Sequence, residues 1–136
     1  HDNYALYIPE DVVVPIGKIP ALVAELPKFE AEYGLKIYAF GHAGDGNIHL
    51  NITAQNRDNM NRVEMGVKAI LARVIQMGGT ISGEHGIGQA KKRYLSMELS
   101  AESIRLQTEI KKVFDPNMIL NPGKIFPKED FNNRLL

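Results

Sequence analysis

The chain has 136 residues, 44% hydrophobic and 24% charged, with a formal net charge of zero and no cysteine. That is enough for one ordinary globular core, and with no net charge there is no global field to gather nucleic acid or an anionic membrane. Disulfides and thiolate metal sites are excluded, and no apolar run approaches the ~20 residues that cross a bilayer.

The first fifteen residues, HDNYALYIPEDVVVP, open on His1 rather than Met and show no signal peptide. They read as the start of a piece cut from a longer protein. Tyr4 to Val14 is rich in β-formers and ends at Pro15, which predicts a first strand. Ile19, Leu22, Val23, Leu26, Phe29 and Tyr33 then recur at helical spacing, with Pro20 suited to the first turn and Gly34 to the stop. Pro27 falls inside that helix and is expected to kink or interrupt it. Lys36 to His42 and Asn47 to Ile52 are short strands flanking the turn Ala43-Gly44-Asp45-Gly46.

A second helix carries Met60, Val63, Val67, Ile70, Leu71 and Val74 on one stripe and stops at Gly78-Gly79. Thr80 to Ser82 reads as a brief fourth strand, leading into the glycine-bracketed loop Gly83 to Gly88. A third helix is expected from the N-cap Ser100 to Asp115-Pro116. The tail Asn121-Pro122-Gly123-Lys124 cannot be regular structure. This order predicts one α+β domain over residues 1–136, a ferredoxin-like antiparallel sheet of about four strands with helices on one face, plus a C-terminal helix and irregular tail.

Three of the four histidines lie in or beside the two glycine loops. With a four-residue turn, His42 pairs with Asn47 and Phe40 with His49. Alternation then puts His42, Asn47, His49 and Asn51 on one face and Ile48, Leu50 and Ile52 on the other. His42 and His49 become diagonal neighbours at roughly 7–8 Å, within reach of a common divalent ion. Glu84 on the second loop is the natural third, acidic ligand, and two histidines with one carboxylate leave positions open for substrate. Adjacent loop side chains diverge, so His85 is expected to face the substrate as general base.

Each feature alone has an ordinary reading. A single strand histidine is usually a surface or hydrogen-bonded residue, Asp45-Gly46 is explained as a turn, and Lys91-Lys92-Arg93 is most simply a solvated helix face. The combination carries the hypothesis. Neither glycine loop is a nucleotide fingerprint: Gly41 to Gly46 leads into a strand rather than a helix, and no Gly-Lys-Ser/Thr occurs.

The stretch Gly41 to His49, GHAGDGNIH, is similar to the GHxGDGNxH motif of the C-terminal domain of FAD-linked oxidases. That family includes glycolate oxidases, D-lactate dehydrogenases and D-2-hydroxyglutarate dehydrogenase. Ser82 to Gly88, SGEHGIG, and Asn121 to Ile125, NPGKI, resemble two further motifs of the family, in the same order and spacing. Glu10-Asp11 and Pro15 also agree, so the resemblance runs from the first strand to Phe126.

The resemblance implies that His42, His49 and Glu84 hold zinc, manganese or ferrous iron, that His85 is the base and that Asn51 helps hold the substrate. Asn121 and Lys124 match residues near the flavin ring. It implies oxidation of a 2-hydroxy acid to the 2-oxo acid by hydride transfer to FAD, which is bound mainly by an N-terminal domain of the same polypeptide. This chain alone is expected to be inactive. Enzymes for larger diacids carry a lysine near Pro9, so its absence points to a small monocarboxylate, glycolate or D-lactate. The expected setting is the cytoplasm, with any membrane association made through other oxidase subunits. Two readings compete: a free-standing metal enzyme built on the same two-His, one-carboxylate set, and a ferredoxin-like binding module whose histidines are structural.

Overall fold

The computed structural model describes residues 6–54 and 60–126. The chain is organised as two compact units, His1–His85 and Gly86–Leu136.

In the first unit, β1 (Leu6–Val13), β2 (Lys36–His42) and β3 (Asn47–Ala54) form an antiparallel sheet in the order β1-β3-β2. Tyr4 and Ala5, where the sequence begins the first strand, lie outside the described residues. The hairpin register is the predicted one, with His42 opposite Asn47 and Phe40 opposite His49. On β1, Asp11 lies opposite His49 and Pro9 opposite Asn51. Asp45 Oδ1 accepts the Asn47 N–H at 3.0 Å, and Gly46 turns the chain at φ 82°. Asp45-Gly46 is therefore turn chemistry, as expected.

Alternation along β3 sets the layers. Ile48, Leu50 and Ile52 are buried beneath α1 (Ile19–Tyr33) and α2 (Met60–Gln76). Leu22 and Leu26 of α1 and Val63, Val67, Ile70, Leu71 and Val74 of α2 supply the facing stripe. Arg73 ties the two helices together through Nε and Nη2, each donating at 2.7 Å to the Glu25 carboxylate. That pairing holds the Glu25 carboxyl below its ordinary value, against a smaller opposing effect of burial.

Two sequence expectations are corrected here. Pro27 does not interrupt α1, which runs unbroken from Ile19 to Tyr33. Both Pro27 and Val23, four residues earlier, are exposed, so water can satisfy the carbonyl left without a donor. The fourth strand is a single antiparallel bridge, Thr80 to Val13. It stops there because the next backbone donors are diverted. The Ser82 N–H goes to Thr80 Oγ1 at 3.4 Å, and those of Gly83, Glu84 and His85 reach the side-chain carboxylate of Asp11, Gly83 keeping only a long second bond, 3.4 Å, to the Asp11 backbone carbonyl.

The second unit contains α3 (Leu95–Glu98) and α4 (Ala101–Phe114). Ser100 caps α4, its hydroxyl accepting the Ser103 N–H at 3.2 Å, where the sequence places the start. Leu95, Ile104 and Phe126 form a small core with Ile87 and Leu99 packed against it. Lys91-Lys92-Arg93 is not a solvated helix face. Lys91 is buried, Lys92 Nζ donates to the Gly123 carbonyl at 3.1 Å, and the Arg93 guanidinium lies 4.8 Å over the Tyr94 ring. The tail is irregular but built. Asp115 accepts the N–H groups of Ile119 and Leu120 at 3.0 Å and the Lys111 ammonium at 2.7 Å.

Candidate active site

The polar face of the hairpin carries the predicted set, with His49 at its centre. Its side chain is only 13% exposed, walled by Phe40, His42 and His85 with ring centroids 5.3, 5.6 and 5.3 Å away. His42 meets it edge-on, at an interplanar angle of 87°, and His85 stacks at 20°. Glu84 Oε1 stands 3.4 Å from His49 Nε2. One ligand atom from each of His42, His49 and Glu84 lies within 4.8 Å of the others.

That spacing passes a test of fit. Donors about 2.0–2.2 Å from one ion lie roughly 3–4 Å apart, and small side-chain rotations bridge the difference. The donor set, two neutral nitrogens and a carboxylate, suits zinc, manganese or ferrous iron.

Glu84 and His85 do not diverge as expected. Glu84 Oε1 is 4.0 Å from His85 Nε2, and both side chains reach the His49 ring. The cause is the loop backbone. Three successive N–H groups converge on one oxygen, Asp11 Oδ2, at 2.8–2.9 Å, which coils the segment so that neighbouring side chains leave on the same side. Gly83 is required at the crossing, because a Cβ there would stand 2.7 Å from Asp11 Oδ1 and from Asn47 Oδ1.

Beside His49, Glu84 and His85 lies a pocket of about 240 Å³ whose other walls include Tyr7, Pro9, Phe40 and Asn51. The Tyr7 hydroxyl donates to Asn51 Oδ1 at 2.7 Å, which leaves the Asn51 amide nitrogen to donate outward. Asn121 and Lys124 belong to the second unit. Both are exposed, and Lys124 Nζ donates to Asn121 Oδ1 at 3.1 Å.

The sequence reading missed Asp11, which is fully buried on the site's face with Oδ1 3.5 Å from His49 Nδ1. A second three-residue donor cluster, Asp11, His49 and His85, passes through it. The available signal was an acidic pair, Glu10-Asp11, inside an otherwise apolar strand.

Fold and site together define an α+β domain with two histidines and a carboxylate beside a small pocket. The chain belongs to the family described as FAD linked oxidases, C-terminal domain, whose profile matches residues 2–125. It is 45% identical over 122 residues to glycolate oxidase subunit GlcD of Bacillus subtilis (strain 168), covering 88% of this chain and 26% of that protein. To the D-lactate dehydrogenase of Anaerostipes hadrus it is 42% identical, with 85% of this chain and 25% of that protein covered. To the D-2-hydroxyglutarate dehydrogenase of Stutzerimonas stutzeri (strain A1501) the identity is 40%, covering 85% and 26%. The chain therefore spans about a quarter of the length of these relatives. No helix among the described residues is long and apolar enough to cross a membrane.

Proposed function

We propose that residues 1–136 act as the substrate- and metal-binding domain of a flavin-dependent 2-hydroxy-acid dehydrogenase or oxidase. The observation that carries this reading is the convergence of His42, His49 and Glu84 within 4.8 Å beside the pocket. FAD, when bound, would supply the two-electron acceptor, and a divalent cation held by His42, His49 and Glu84 would supply Lewis-acid polarisation of the substrate oxygens.

The chain's own residues do the rest. Asn51, its oxygen engaged by Tyr7, offers N–H donors to the substrate carboxylate. His85, at the pocket wall with its side chain 57% exposed, takes the hydroxyl proton as the α-hydrogen leaves as hydride. Phe40, Tyr7 and Pro9 form the apolar side of the pocket. Asn121 and Lys124 are assigned to the edge of the flavin, held by another domain of the same polypeptide.

The pocket's charges support a small monocarboxylate as substrate. None of the described residues lining it is Lys or Arg, and the wall beside Asn51 is Pro9, with Glu10 next to it. A second substrate carboxylate would meet no cation there. Glycolate or D-lactate fits, and a cysteine-free chain suits the cytoplasm.

The test compares this chain alone with the complete flavin-bearing polypeptide on glycolate, D-lactate and D-2-hydroxyglutarate. The complete enzyme is expected to favour a monocarboxylate, and the 136 residues alone to bind no stoichiometric FAD and oxidise nothing. Preference for the diacid would overturn the substrate assignment. Turnover by the chain alone would overturn its role as one domain of a larger enzyme.

A further inference from the structure

The buried carboxylate of Asp11 faces two parts of the site at once. Oδ2 accepts the N–H groups of Gly83 at 2.9 Å and of Glu84 and His85 at 2.8 Å. Oδ1 faces His49 Nδ1 at 3.5 Å across a register pair of β1 and β3. The other nitrogen of the same ring, Nε2, faces Glu84 at 3.4 Å. A neutral imidazole carries one proton, and although both ring nitrogens face a carboxylate, Asp11 is fully buried whereas Glu84 is 56% exposed and screened by water, so the proton stays on Nδ1.

We propose that Asp11 is the positioning residue of this site: its single carboxylate fixes the Glu84-His85 loop and holds His49 as the Nδ1–H tautomer, presenting Nε2 as a ligand. The inference rests on the metal-site reading above only for the last of these consequences. Asp11 is not assigned as a ligand itself. Its Oδ2 already accepts three backbone donors, and its side chain is 0% exposed whereas Glu84's is 56% exposed beside the pocket.

The discriminating variant is Asp11→Asn. Its amide oxygen can still accept the three loop N–H groups, so the amide nitrogen must turn towards His49. There it donates to Nδ1, moves the ring proton to Nε2 and blocks the ligand position. An Asp→Asn change beside a catalytic histidine acts through the tautomer in the same way while leaving geometry intact.

The experiment uses the 136-residue chain, metal-free and ¹⁵N-labelled at histidine, at about pH 8, above the ordinary imidazole range. Two-bond proton–nitrogen correlation spectra then read the His49 tautomer directly. Wild type is expected to show Nδ1–H. Asp11→Asn is expected to keep the wild-type backbone amide pattern, show Nε2–H and bind zinc about 10–100-fold more weakly. Nε2–H in the wild type, or an unchanged tautomer in a folded Asp11→Asn, would overturn the proposal. Should Asp11→Asn fail to fold, the wild-type tautomer alone decides. A wild type that shows Nδ1–H yet binds no zinc would refute the metal-site reading while supporting the role of Asp11 in fixing the tautomer.

Discussion

His49 and His85 stack ring on ring at 5.3 Å, yet their surroundings give them different work. His49 is 13% exposed and fixed from both edges, Asp11 on one side and Glu84 on the other. His85 is 57% exposed and lines the pocket. The first arrangement suits a ligand and the second a group that exchanges protons with a substrate. In the complete flavoenzyme, His85→Ala is expected to lower kcat by roughly 10²–10⁴-fold, the usual contribution of a general base, with bound metal unchanged on elemental analysis. Loss of metal together with activity would make His85 a ligand instead. The histidines and Glu84 were legible because strand alternation and two glycine loops are local patterns. Asp11 was not, because its partners are backbone N–H groups 72 to 74 positions away. Backbone donors leave no trace in a sequence.

At the scale of elements, the hairpin and the helices follow from periodicity and turn chemistry, and both emerged at or near their expected limits. The failures share a cause. The fourth strand shrank to one bridge because the side chains of Thr80 and Asp11 took most of its backbone donors, and Pro27 was tolerated because it faces solvent. Tertiary context decided both. The last turns of the second unit show the same logic in Asp115. Its hydrogen bond from Lys111, with those from the Leu120 and Ile119 N–H groups, holds the carboxyl below its ordinary value although burial opposes the shift. A depressed carboxyl stabilises the fold above the unfolded value of about 3.9. That contribution is lost as pH falls through the lower, folded value. Acid titration by NMR should therefore move the Ile119 and Leu120 amides only below about pH 4, and Asp115→Asn should abolish the transition. Movement of these amides near neutral pH would assign the effect to another group.

For the whole molecule, the motifs identify the family and the structure adds the arrangement of the candidate ligands. The N–H groups of Asp45 and Gly46 are taken by the His42 carbonyl, which leaves them no part in binding a phosphate. Residues 43–46 form a hairpin turn, and the donors of 83–85 are already taken by Asp11. What the first unit does offer is one face of a sheet on which ligand groups converge. The most direct test is the divalent metal content of this chain. It would be prepared without chelator, loaded with zinc or manganese, freed of excess by gel filtration and compared with His49→Ala. The wild type is expected to retain about one equivalent, as a single mononuclear site requires, and His49→Ala close to none. Equal metal in the two proteins, or none in the wild type, would contradict the central claim.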